Sequence, residues 1–172
     1  LVSLLISTLA SRVRAQAEAA GRREERTQTL YRMSREIAAS RTEGEVSMVL
    51  SRHVADAVLG TAEVFVSGQG GKLVPAVAAG AIDQGEQAVT QWVMDHSQRA
   101  GLGTDTLPGA NGLYIPLVGA QSSVGVLGVH PAPDLLPLAP DQLDLVLALA
   151  HQAASGLERV RRTVNQMPVR GS

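Results

Sequence analysis

The sequence predicts an α+β domain, a mainly antiparallel sheet covered by helices, on three observations. Two long stretches at the ends, 12–40 and 141–162, carry apolar residues at helical spacing. Four short β-branched or alternating runs lie between them. One amphipathic stretch, 84–100, separates the first pair of runs from the second.

Taken in order, 12–40 has no proline and a single glycine, Gly21, and places Leu30, Met33 and Ile37 at i, i+3 and i+7. So narrow a seam on a helix rich in Arg and Glu suits pairing with an identical helix of a second subunit. Thr42 and Glu45 form a T-x-x-E capping box, and Val46, Val49, Leu50, His53, Val54, Ala57 and Val58 then repeat at helical spacing until Gly60. The run 62–67 alternates as a strand, Gly68 to Gly71 turns, and 72–78 returns as a second strand. Pro75 cannot donate to a ladder and puts this strand at an edge or a bulge.

In 84–100, Ala88, Val89, Trp92, Val93 and His96 are expected on the face that packs onto the sheet. The stretch 100–112 holds four glycines and a proline and is long for a connection within a packed domain. The runs 113–118 and 124–130 are apolar enough for the centre of the sheet. After a connection with prolines at 131, 133, 137 and 140, a helix opens with Asp141 and Asp144 in its first turns. Its seam runs through Leu143, Val146, Leu147, Ala150, Ala153, Ala154, Leu157 and Val160. Pairing of two copies is expected through Leu30, Met33, Ile37, Val146, Ala150, Leu157 and Val160.

Length and composition narrow the function. The 172 residues suit one domain, and a net charge of -1 removes the field that would attract nucleic acid. Cysteine is absent, so no disulfide, thiolate metal site, cysteine nucleophile or thioether-linked chromophore is available. Lys72, in a glycine-rich turn, is the one lysine among 15 basic residues. Residues 1–11 are uncharged and mostly apolar, with Arg12, Arg14, Arg22, Arg23 and Arg26 following them. They are too short to span a bilayer and read as the end of a membrane helix or as an apolar stub. Residues 12–41 read as a linking helix, 42–162 as the domain proper, and 163–172 as an unstructured tail.

Signatures of catalysis are missing. No G-x-S-x-G, H-E-x-x-H or phosphate-loop motif occurs, and Gly68 to Lys72 lies between two strands instead of opening a helix. The histidines at 53, 96, 130 and 151 lack the spacing of a helical metal site. His96 reads as a core histidine or a ligand contact. Thr104, Asp105 and Thr106 offer oxygens of the kind a hard cation prefers, or a turn bonded to itself. With Trp92 and Tyr114 these residues are the candidate lining of a pocket between the central sheet and the loop 101–111. Ala76, Ala78, Gly80, Gly125 and Gly128 leave room for such a pocket or allow close packing. No cofactor is expected; potassium or a small molecule is the candidate ligand.

The run from Trp92 to Leu117, WVMDHSQRAGLGTDTLPGANGLYIPL, resembles the GAF domain of the KdpD family, membrane sensor histidine kinases responding to potassium limitation and osmotic stress. The tryptophan, the Asp95-His96 pair, A-G-x-G-T-D-T-L-P and L-Y-x-P-L carry the likeness. The stretches 22–38 and 146–161 resemble the family's signalling helix and the closing helix that runs toward the kinase. The resemblance implies a GAF-like fold whose long terminal helices form a dimer bundle. It also implies a place at the cytoplasmic face of the bacterial inner membrane, beside membrane helices and a kinase region, with a response regulator as the kinase's partner. A chain without the phosphoacceptor and ATP-binding regions is then expected to relay a signal and to catalyse nothing. The cyclic-nucleotide signature and the bilin cysteine of other GAF domains are missing, so no ligand is implied.

Overall fold

The computed structural model describes residues 2–77 and 82–166, in two units that divide between Arg32 and Met33. The first helix, α1 (Val2–Ala39), begins in one and ends in the other. In the first unit almost every side chain is exposed, including Val2, Leu4, Leu5, Ile6, Leu9 and Val13. No described helix is long and apolar enough to cross a membrane.

The second unit starts with the last turns of α1 and continues with α2 (Glu43–Val58), β1 (Thr61–Ser67), β2 (Leu73–Pro75) and α3 (Gln84–His96). It is completed by β3 (Ala100–Gly101), β4 (Leu113–Val118), β5 (Ser123–His130) and α4 (Pro140–Asn165). The five strands form one sheet in the order β2-β1-β5-β4-β3, antiparallel at every pair. Pro75 lies in the edge strand β2, where its missing donor costs no ladder bond. The T-x-x-E box forms: the Thr42 hydroxyl accepts from the Glu45 amide at 3.1 Å, and the Glu45 carboxylate accepts from the Arg41 amide at 2.6 Å. Leu59 ends α2 in the left-handed region, with Gly60 N–H donating to the Ala55 carbonyl at 3.1 Å.

Strand alternation divides the core. Phe65, Tyr114 and Val126 face α3 and pack with Leu73, Val93 and Ala100, while Val64, Ile115, Leu127 and Val129 face α2 and α4. Two expectations are corrected. On α3, Ala88 and His96 are exposed; Val93 and Thr90 are buried, and Val89 and Trp92 are half-buried. Thr90 tolerates burial because its hydroxyl reaches the Glu86 and Gln87 carbonyls at 2.9 and 3.1 Å, inside its own helix.

The second correction concerns the seams. Met33, Ile37, Val146, Ala150, Leu157 and Val160 are buried inside their own subunit, and of the seven expected dimer contacts only Leu30 is half-exposed. A side chain with no accessible surface has none to offer a second copy. The small residues of α4 explain the docking. A Cβ on Gly156 would stand 2.5 Å from Ile37 Cγ2, so only glycine lets the end of α1 approach so closely. The helix α4 also runs past the expected end at 162 to Asn165; the rest of the expected tail, from 167, lies outside the described residues, as do Ala78 and Gly80.

Candidate functional site

The expected pocket does not assemble as one site. Thr104, Asp105 and Thr106 line a cleft of about 630 Å³ with Arg99, Leu113 and Leu143, beside the connection 131–138. Tyr114 lines another cleft, of about 350 Å³, with Asp83, Glu86, Val89, Asn111 and His130. Trp92 and His96 line neither: their rings stack on each other with centroids 4.2 Å apart, and His96 Nδ1 lies 2.8 Å from the Trp92 carbonyl.

The loop's local bonds show why the threonine-aspartate cluster is a weak cation site. The Thr104 hydroxyl lies 2.8 Å from both the Gly101 and the Thr106 carbonyls and accepts from the Thr106 amide at 3.3 Å. The Gly101 amide donates to the Thr106 carbonyl at 2.8 Å. The turn therefore satisfies its own polar groups, and Asp105 is left exposed at the rim. No group of three or more His, Asp or Glu able to hold a metal ion occurs among the described residues.

Sequence reasoning missed a more unusual constellation on the α3 face of the sheet. Asp83 caps α3 through its carboxylate, 2.8 Å from the Glu86 amide, which directs Glu86 back over the strands. The Tyr114 hydroxyl donates to Glu86 Oε1 at 3.0 Å, and His130 Nε2 lies 3.9 Å from the same oxygen. The Tyr114 and His130 rings meet edge to face at 6.1 Å. Glu63 belongs to the same face, since Glu63 pairs with Gly128, which also pairs with Tyr114. Burial, and then the Glu86 charge and its hydrogen bond, push the Tyr114 phenol well above its ordinary range. Burial first and the Glu86 carboxylate second raise Glu63, against the opposing pull of His130. The sequence signal was there: a glutamate between Ala62 and Val64 in a mostly apolar alternating strand.

The sign of the Glu63 effect gives a prediction. A carboxyl whose folded pKa is raised contributes stability that is fully present below its ordinary value of 4.5 and is lost as pH rises through the folded value. Glu63→Gln is therefore expected to melt higher than the parent at pH 7, with the difference vanishing near pH 4. Equal melting temperatures at both pH values would contradict the burial of this charge.

A five-stranded antiparallel sheet with α3 on one face and α2 and α4 on the other defines the class, and the family comparison agrees. The sequence pattern of the GAF domain family matches residues 62–159, and the chain belongs to that family, whose domains are regulatory. It is similar to the sensor protein KdpD of Escherichia coli K12, 31% identical over 169 residues, 98% of this chain and 19% of the relative. The KdpD of Clostridium acetobutylicum is 28% identical over 168 residues, 92% of this chain and 18% of the relative. The chain thus spans about a fifth of the length of these relatives. Among solved structures, the GAF domain of the potassium sensor histidine kinase KdpD from Escherichia coli superposes with a TM-score of 0.72 and 27% identity. That match covers 81% of this chain and 97% of the other. The GAF domain of an Acinetobacter phosphoenolpyruvate-protein phosphotransferase, at TM-score 0.62, 14% identity and coverage of 82% and 98%, shares the fold.

Proposed function

We propose that this chain is the non-catalytic relay domain of a KdpD-type two-component sensor kinase at the cytoplasmic face of a bacterial membrane. In this reading it passes a conformational change from preceding membrane helices to a following kinase, whose phosphorylated partner is a response regulator. The observation that carries the reading is the grip of α4 on the end of α1. The Arg159 guanidinium donates to the Ile37 and Ser40 carbonyls at 2.7 and 3.1 Å, closing the C-terminal end of α1 with a positive charge. One residue earlier, Glu158 accepts from the Ala120 amide at 2.8 Å, and Arg161 pairs with Glu43 at the start of α2. A shift of α1 is therefore transmitted directly to the last turns of α4. Two copies pair, in this proposal, through apolar residues of α1 that lie exposed, such as Leu5 and Leu9, and not through the buried seams.

The test is a chimera in which this chain replaces the matching segment of the Escherichia coli KdpD sensor. Potassium-dependent autophosphorylation is expected to survive the exchange. Arg159→Ala in the chimera is expected to leave basal phosphorylation and remove most of the potassium response. An unaltered response would refute the relay through this contact.

A second reading is favoured by the clefts: a domain whose packing responds to potassium or a small molecule held between the loop 101–111 and the central sheet. The contacts would come from Asp105 and Thr106 in one cleft or from Tyr114 in the other.

A further inference from the structure

A third cleft, of about 760 Å³, opens where the ladder between β1 and β2 stops. That ladder pairs Phe65 to Ser67, with the Ala76 amide still donating to the Val64 carbonyl at 2.8 Å, and among the described residues no strand lies beside the outer edge of β1 from Thr61 to Glu63. The helix α2 forms one wall, and Glu86 and His130 close the other side. We propose that this cleft, lined by Ser47, Ser51, Thr61, Glu63, Glu86 and His130, binds an organic ammonium ligand. The inference rests on the ligand-responsive reading and assigns it a different place and chemistry.

Three observations converge. First, the two carboxylates of the cleft, Glu63 and Glu86, share a single histidine, His130, as their basic neighbour. Glu63 makes no ion pair among the described residues, and Glu86 has only the Tyr114 hydroxyl and, farther off, His130. Arg52, at the rim, is engaged by Glu36. Second, Ser47, which lines the cleft, is 1% exposed and its Oγ has no hydrogen-bond partner among the described residues. Buried hydroxyls are nearly always paired, and an unpaired one lining a cleft indicates a missing partner. Third, the volume falls in the range of small-molecule sites and far exceeds a bare ion. Since Glu63, Glu86 and His130 form no group able to hold a metal ion, the two carboxylates suit a spread organic cation whose N–H groups donate to several oxygens, rather than a metal. The raised pKa of Glu63 agrees, because burial beside Glu86 is a penalty that a bound cation offsets.

The test uses this chain with 1,4-diaminobutane as the probe, titrated in a calorimeter at neutral pH and constant ionic strength, with potassium chloride as the comparison. Saturable binding with a concentration-dependent rise in melting temperature is expected, with no such rise for potassium. Glu63→Gln is expected to weaken binding at least tenfold and Ser47→Ala about threefold, whereas Asp105→Asn in the other cleft leaves it unchanged. Absence of saturable heat, or affinity kept in Glu63→Gln, overturns the proposal. Binding lost in Asp105→Asn but kept in Glu63→Gln overturns this site while sparing the ligand-responsive reading.

Discussion

Leu157→Ala is expected to destabilise the isolated subunit by about 3 kcal/mol, within the usual range for a fully buried leucine truncated to alanine. Leu157 is 0% exposed on α4, where the helix packs over α2 and the sheet. Truncation removes the transfer energy of the lost carbons and leaves a cavity that neighbours held by Arg159 and Glu158 fill poorly. For a domain of this size the melting temperature should fall by about 10 °C, independently of protein concentration. A residue at a subunit interface would behave differently, because its loss would show as concentration-dependent dissociation. Cysteine substitution gives a parallel readout in a chain that has no cysteine of its own. Leu9→Cys is expected to cross-link two copies under mild oxidation, and Leu157→Cys to stay reduced. Efficient cross-linking at 157 would mean that α4 faces a second subunit after all.

The second large effect is expected at Gly101, where the chain leaves β3 for the loop. Its φ is +95°, and a Cβ built there would stand 2.0 Å from the Gly112 carbonyl oxygen. That oxygen accepts from the Leu102 amide at 2.9 Å, so the backbone cannot retreat without opening the loop. Gly101→Ala combines left-handed strain with a clash against main chain and should lose about 3 kcal/mol. Gly103→Ala is the control: φ is +72°, but nothing lies within 4 Å of its Cβ, so only the conformational penalty of about 1 kcal/mol applies. Denaturant melts of the two variants should differ accordingly. Hydrogen exchange at the Leu102 and Thr104 amides should accelerate in Gly101→Ala. Equal losses in the two variants would show that the close approach of Gly101 and Gly112 is not maintained in solution.

The misses in the candidate site share a cause. Thr104, Asp105 and Thr106 were legible as a polar turn because a turn is a local object, and the structure returns a turn bonded to itself. Glu63, Glu86, Tyr114 and His130 come from β1, α3, β4 and β5, and apart from the glutamate set in a mostly apolar strand nothing local distinguishes them from ordinary strand or helix residues. Trp92 and His96 are four apart on one helix, and that spacing explains why they find each other and not a cleft.

What the sequence determined by itself was most of the elements: the capped start of α2 at Thr42, the edge or bulge required by Pro75, the mainly antiparallel pairing, the last long helix, and the family likeness around Trp92 to Leu117, whereas β3 lay hidden in the expected loop 100–112. These follow from spacing, capping and turn chemistry, which act over a few residues. Only the tertiary structure decided what covers each apolar face. Periodicity marks Met33, Ile37 and Leu157 as sides of a seam, but the same seam fits a twin helix or the body of its own domain. The missing Cβ of Gly156 and the reach of Arg159 settled the choice, because packing energy belongs to pairs of surfaces brought together from distant parts of the chain.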